Sequence, residues 1–192
     1  VAGEHGQVGE PENPIKPASS RIRIIVTLGL AALALLPLYG TSFSQVLAID
    51  ILIFALFAAS LHFLLGLGGM VSFGHAAYYG GGAYVAALLV THLNTPMELA
   101  FMLAPIGAGV AALAIGWVCL RSTGVYFAML TLAFAQLLWS LVFQWGDVTG
   151  GDDGLVNIWP SDWLNETTTY FYFTIITAVG GIVVLRHIAH SP

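Results

Sequence analysis

Charge is what this sequence has least of. Only 8% of its 192 residues are Asp, Glu, Lys or Arg, against roughly 25% in an ordinary soluble domain. Lys16 is the one lysine among five basic residues, so there is no phosphate-binding G-x-x-x-x-G-K-[ST] loop. Nothing here can neutralise a nucleic-acid backbone. The single cysteine, Cys119, cannot form an internal disulfide, and neither a zinc-spaced Cys/His cluster nor an HExxH occurs. These absences exclude a self-sufficient nucleotide hydrolase, a nucleic-acid binder and a disulfide scaffold. What is present is hydrocarbon: 58% of residues are hydrophobic and the mean hydropathy is +0.87. A soluble fold of this length leaves roughly a third of its extended-chain surface exposed, too much to hide such a composition. The chain is a membrane protein.

The gaps between charges define the spans. Arg23 to Asp50 encloses 26 uncharged residues, Glu98 to Arg121 encloses 22, Arg121 to Asp147 encloses 25, and Glu166 to Arg186 encloses 19. Each holds one helix of about 20 residues, enough to cross roughly 30 Å of hydrocarbon. The 47 residues between Asp50 and Glu98 would make a helix of about 70 Å, so they must fold back. The glycines Gly66, Gly68, Gly69 and Gly74 mark the place, each weakening a helix by roughly 1 kcal/mol relative to alanine. An all-α integral membrane fold follows, with spans expected at 24–40, 46–65, 76–93, 97–119, 124–144 and 168–185. Residues 1–23 are expected to be a polar cytoplasmic tail, disordered over 1–20, and 24–192 the transmembrane domain. The small-residue pattern Ala32-Leu-Ala34 lies inside the apolar run, so the first span is expected to stay uncleaved.

With the N-terminus in the cytoplasm, Lys16, Arg21, Arg23, Arg121 and Arg186 all fall on the cytoplasmic side, as the positive-inside rule asks. The acidic loop from Asp147 to Glu166 then faces outward.

Polar groups within this apolar chain are the candidates for function. Residues 66–75 read either as an unwound or re-entrant piece that exposes backbone to a solute, or as a plain turn capped by Ser72. In the first reading Gly66, Gly69, Ser72, Gly74 and His75 line a path. Asp50 and His62 lie on the second span, where interfacial hydration and an interhelical hydrogen bond account for them. Tyr126, Thr131 and Gln136 decorate the fifth, where interhelical bonds again suffice. Small residues recur every fourth position at Ala100, Ala104, Ala108, Ala112 and Gly116, a stripe that lets helix backbones approach closely. The loop Thr149-Gly-Gly-Asp-Asp-Gly154 lacks the alternating acids and terminal glutamate of a calcium loop. No metal or other cofactor is expected.

Two stretches resemble a known family. Leu65-Gly-Leu-Gly-Gly-Met-Val-Ser-Phe-Gly-His-Ala-Ala-Tyr-Tyr-Gly-Gly-Gly-Ala-Tyr84 looks like the signature of branched-chain amino-acid ABC transporter permeases. Leu120-Arg-Ser-Thr-Gly-Val-Tyr-Phe-Ala-Met-Leu-Thr-Leu-Ala-Phe-Ala-Gln136, followed by Thr149-Gly-Gly-Asp-Asp-Gly-Leu155, resembles the larger, LivM-type, of the two paralogous permeases. A polar Asn is usual in that family where His62 stands, so no role is carried over to it. Urea permeases share the glycine signature but differ over 120–155, so branched-chain amino acids are the expected cargo and a urea or amide the alternative.

The resemblance implies a permease subunit and not an enzyme, set in a bacterial plasma membrane. It implies a second permease, two ATP-binding subunits and a periplasmic or extracellular substrate-binding protein as partners. The path is expected at Gly66, Gly69, Ser72, Gly74, His75, Tyr126 and Gln136, and the outward surface at Thr149, Gly150, Gly151 and Asp153. It implies a longer chain too, continuing past Ser191-Pro192 into a coupling loop. Two other classes remain: a proton-coupled carrier using Asp50, His62 and His75, and a purely structural membrane subunit.

Overall fold

The computed structural model describes residues 20–156 and 158–190. The polar tail lies outside the described residues as far as position 19. Residues to Tyr39 form one unit and those from Gly40 onward another.

In the first unit, α1 (Ser20–Ala34) stops one turn before Pro37 and α2 (Leu36–Tyr39) restarts as a single turn. The span expected as one helix over 24–40 is thus divided. Proline lacks the N–H that a continuous helix needs, and it disfavours helical geometry in the residue before it. The Leu35 N–H still bonds Ala31 O at 3.1 Å, and the Leu38 N–H bonds Leu35 O at 3.0 Å.

The second unit holds α3 (Ser42–Gly68), α4 (His75–Leu93), α5 (Met97–Cys119), α6 (Val125–Gln144), the short α7 (Gly146–Thr149) and α8 (Thr167–His190). Helix α3 begins four residues earlier than hydropathy suggests because Thr41 caps it. The Thr41 side chain accepts from the Ser44 N–H at 3.4 Å, and the Ser44 hydroxyl donates to Thr41 O at 2.6 Å, satisfying end groups that a helix cannot pair internally. The helix stops at Gly69, whose φ of 58° is left-handed and whose N–H bonds Leu65 O, a glycine C-cap. Helix α4 ends in the same way at Asn94, with φ 48°. Helix α5 occupies the expected 97–119, and α8 runs five residues past the expected 185.

Among the described residues four helices are long and apolar enough to cross a membrane: Ser42–Gly66, Met97–Cys119, Val125–Gln144 and Thr167–His190. Their outward faces are hydrocarbon. Leu113 is 76% exposed and Ile176 71%, which is favourable against lipid tails and costly against water.

Helix pairs meet through small residues. Ser60 meets His75 and Phe57 meets Tyr79, so α3 and α4 are antiparallel. A Cβ added to Gly82 would sit 3.7 Å from Ala108 Cβ, and one added to Gly107 would sit 2.7 Å from Val85 Cγ1, so α4 and α5 are antiparallel too. Helix α8 packs along α3, with Gly181 under Leu56. Helices α3, α5 and α8 therefore start at one end of this unit, where α4 and α6 finish.

Every described Asp and Glu belongs to that end, with the exposed Trp139, Trp145, Trp159 and Trp163. Arg121 and Arg186 belong to the other, where Arg121 lies 5.7 Å over the Trp117 ring. Tryptophans gathered at one level are the mark of a membrane interface.

The small-residue stripe of α5 divides in two. Ala100 and Ala104 are buried and Ala108 faces Gly82, whereas Ala112 and Gly116 line an open face with Ile106 and Trp117. Ala108→Leu should therefore wedge α4 from α5 and destabilise by about 1–3 kcal/mol. Leu103→Ile, on the exposed face, should cost under about 1.5 kcal/mol. Thermal unfolding in detergent measures both, and equal tolerance would mean that Ala108 is not at the contact.

Candidate functional site

The glycine break is built by three helices. After Gly69 the chain leaves helical geometry, and α4 starts at His75 with Gly74 as its cap residue, without a side-chain cap bond. The cap expected at Ser72 is thus two residues further on. Ser72 itself is buried, at 7% exposure, and Gly74 is buried beside it. Ser72 and Gly74 are thus packed at the end of α3, while Gly69, Val71 and Phe73 are exposed.

Thr131 of α6 holds it in place. The Phe73 N–H donates to the Thr131 hydroxyl oxygen at 3.2 Å, and that hydroxyl donates to Ala128 O at 2.8 Å, so both capacities of the group are used. One residue on, a Cβ at Gly74 would lie 2.5 Å from Thr131 O and 3.1 Å from Thr131 C. Only glycine lets the break approach the α6 backbone this closely. The φ of Gly74 is −88°, so space and not conformation demands glycine there. Gly69 is the reverse case: its φ is left-handed, and an added Cβ would meet nothing within 4 Å.

His75 ties the same segment to α3. Its Nε2 lies 2.7 Å from the Ser60 hydroxyl, which also donates to Phe57 O at 2.7 Å. One hydroxyl proton cannot serve both bonds. Both are satisfied when Nε2–H donates to Ser60 and Ser60 donates to Phe57 O. The Phe57 ring stands 5.0 Å from the imidazole and 5.6 Å, edge-on, from Tyr79.

Of the residues expected to line a path, the structure brings Ser72, Gly74 and His75 together, with Gly66 and Gly69 on the chain leading in. Tyr126 and Gln136 sit five residues either side of Thr131, about 140° around the helix. Both are exposed, Tyr126 at 78%. Asp50 and His62 are exposed on α3, and no hydrogen bond joins either to His75 among the described residues.

Ser60 and the partner of Thr131 are what sequence reasoning did not find. Thr131 is 58 positions from its partner, and a lone hydroxyl in an apolar helix carries no sign of what it faces.

The loop at the other end is also built. The hydroxyl oxygen of Thr149, 4% exposed, lies 2.5 Å from Val142 O and 2.9 Å from Trp145 O, so its one proton is shared between the two carbonyls, and it accepts from the Gly151 N–H at 3.4 Å. Gly150, Gly151 and Gly154 all have positive φ. Asp152 and Asp153 are exposed. No group of three or more His, Cys, Asp or Glu among the described residues could hold a metal ion.

The family described as branched-chain amino acid transport system permease components matches residues 44–189. The chain is also similar to the high-affinity branched-chain amino acid transport system permease protein LivM of Escherichia coli (strain K12), 29% identical over 107 residues. That stretch is 56% of this chain and 25% of the relative. The protein of the same description from Salmonella typhimurium (strain LT2) gives the same identity and coverage. The chain thus spans about a quarter of the length of the curated relatives it matches. No solved structure matches it.

Proposed function

Because this chain belongs to the family of branched-chain amino acid transport system permease components, we propose that it is a transmembrane permease subunit of an ATP-driven importer for branched-chain amino acids. A second permease, two ATP-binding subunits and an external substrate-binding protein complete the transporter, in a bacterial plasma membrane with the N-terminus in the cytoplasm. Residues 66–75 line part of the path, and the surface around Thr149, Gly150, Gly151 and Asp153 faces the binding protein.

One observation carries the reading. The family match runs through the break, and that break is pinned to α3 by Ser60–His75 and to α6 by Phe73–Thr131. A non-helical backbone at membrane depth is tolerated where protein surrounds it or a cavity borders it, and a segment gripped from two helices can move when they move. His75 is hydrogen-bonded to Ser60 and not to Asp50 or His62 among the described residues, which argues against a proton relay through these three groups. The arrangement of Arg121 and Arg186 at the end opposite the acids supports the orientation.

Uptake of labelled leucine by the full transporter tests this. It should stop on ATP depletion, survive an uncoupler, and be competed by valine and isoleucine but not by urea. His75→Ala removes one hydrogen bond with Ser60, worth about 0.5–1.5 kcal/mol net, and should keep uptake within about tenfold of the parent. Uptake that resists ATP depletion, collapses with the uncoupler and vanishes in His75→Ala would make the protein a proton-coupled carrier. Competition by urea would make the cargo an amide.

A further inference from the structure

Helix α5 has a second face that no described residue of another helix covers. It runs from Pro105 to Leu120, about 22 Å along the helix axis, longer than the roughly 15 Å of hydrocarbon in one leaflet. Gly109 and Gly116 open a shallow groove along it, and Ile106, Val110 and Leu113 stand exposed beside them.

The glycines of α5 are not alike. A Cβ at Gly107 would press on Val85 of α4 at 2.7 Å, whereas one at Gly109 or Gly116 would meet nothing within 4 Å. Neither of these two has a positive φ. Glycine is unfavourable inside a helix unless contact or conformation calls for it, and among the described residues neither does. What the pair achieves is a channel open to the helix backbone between exposed aliphatic side chains.

Charge marks one end of that channel. Trp117 lines it, and the Arg121 guanidinium carbon lies 5.7 Å over the Trp117 ring. A guanidinium stacked on a ring face keeps its N–H edge free to donate. Arg121 is exposed, and every described Asp and Glu belongs to the opposite end of the unit, so no described carboxylate neutralises it. Its planar fork of donors matches a phosphate group. Tryptophan and arginine at a helix end sit at headgroup level, and here the groove leads from them into the hydrocarbon.

We propose that this face binds one anionic phospholipid from the leaflet at the Arg121 end. The phosphate takes the Arg121 guanidinium, and an acyl chain lies along Gly116 and Gly109. A packing helix would account for the glycines but not for the unneutralised charge at their end; the phospholipid accounts for both. The inference rests on the membrane assignment alone and holds whatever the cargo.

Native mass spectrometry of the full transporter, titrated in detergent with phosphatidylglycerol or with phosphatidylcholine of the same acyl chains, tests it. The parent should retain one more phosphatidylglycerol per copy of this chain than Arg121→Gln does. At that site phosphatidylglycerol should bind about fivefold more tightly than phosphatidylcholine, as expected for one basic residue at a membrane surface. Gly116→Leu fills the groove with the charge intact and should lose the same lipid, so the test stands even if one variant fails to assemble. Equal retention by the parent and either variant, or no preference for phosphatidylglycerol in the parent, would overturn the proposal. Release of another subunit by Gly116→Leu, with lipid retention unchanged, would overturn it too and make the face a contact between subunits.

Discussion

Gly74→Ala should destabilise the protein by about 2–4 kcal/mol and abolish uptake in the full transporter. The added methyl would meet the Thr131 carbonyl oxygen at 2.5 Å and the carbonyl carbon at 3.1 Å, far inside van der Waals contact. The obstacle is backbone in the body of α6, so no side-chain rotation relieves it. Overpacking of this kind costs about 1–3 kcal/mol. Pushing the break away from α6 also stretches the Phe73 N–H···Thr131 bond from its 3.2 Å, which adds about 0.5–1.5 kcal/mol.

Three companions separate this cause from general intolerance. Gly69→Ala meets no atom within 4 Å and carries only left-handed strain at φ 58°, about 1–2 kcal/mol. Gly69→Asn should recover most of that, since Asn tolerates the left-handed region and Asn94 already occupies it at the end of α4. Gly80→Ala, inside α4 with open space around it, should be neutral or stabilising. Melting temperature in detergent and leucine uptake read all four. If Gly74→Ala melts and transports like Gly80→Ala, the break is not pressed against α6.

Gly150→Ala should unfold the loop after α6 while leaving the helices intact. Here both penalties act on one residue. Its φ is 77°, and an added Cβ would fall onto the Gly154 carbonyl group. Left-handed strain of about 1–2 kcal/mol joins an overpacking cost of about 1–3 kcal/mol. The residue cannot move aside freely, because its N–H bonds Gly146 O at 3.0 Å and its carbonyl accepts from the Asp153 N–H at 3.2 Å. Displacing it also disturbs the Thr149 clamp on Val142 and Trp145. Hydrogen exchange at the Gly150 and Asp153 amides should rise by orders of magnitude, while amides in the middle of α6 and α8 keep their protection. Unchanged exchange at Asp153 would show that the loop accommodates the methyl.

Several features are legible in the sequence alone. Helix α5 runs over the residues expected from Glu98 and Arg121, and the break falls within the glycine stretch, after Gly66 and Gly68, which remain in α3. The division of 24–40 before Pro37 is also local, because proline acts on its own backbone and on the residue before it. Gly69 and Gly74 are glycines for different reasons. Gly69 needs its left-handed φ, whereas Gly74 needs room for a carbonyl 57 positions further along the chain.

The sequence by itself determined that the chain is helical, membrane-embedded and broken within its glycine stretch, and its motifs carried the family. This follows from the solvent. In lipid each backbone N–H and C=O must be paired within its own helix, so the length of an apolar run reports directly on a span. Only the tertiary structure decided that α8 packs on α3, that Ser60 meets His75 and that Thr131 holds Phe73. Lipid tails are as apolar as the helix faces themselves, so hydropathy does not distinguish a face covered by a helix from one covered by lipid. Those choices rest on shape and on single hydrogen bonds between distant segments, and no local pattern of residue types records them.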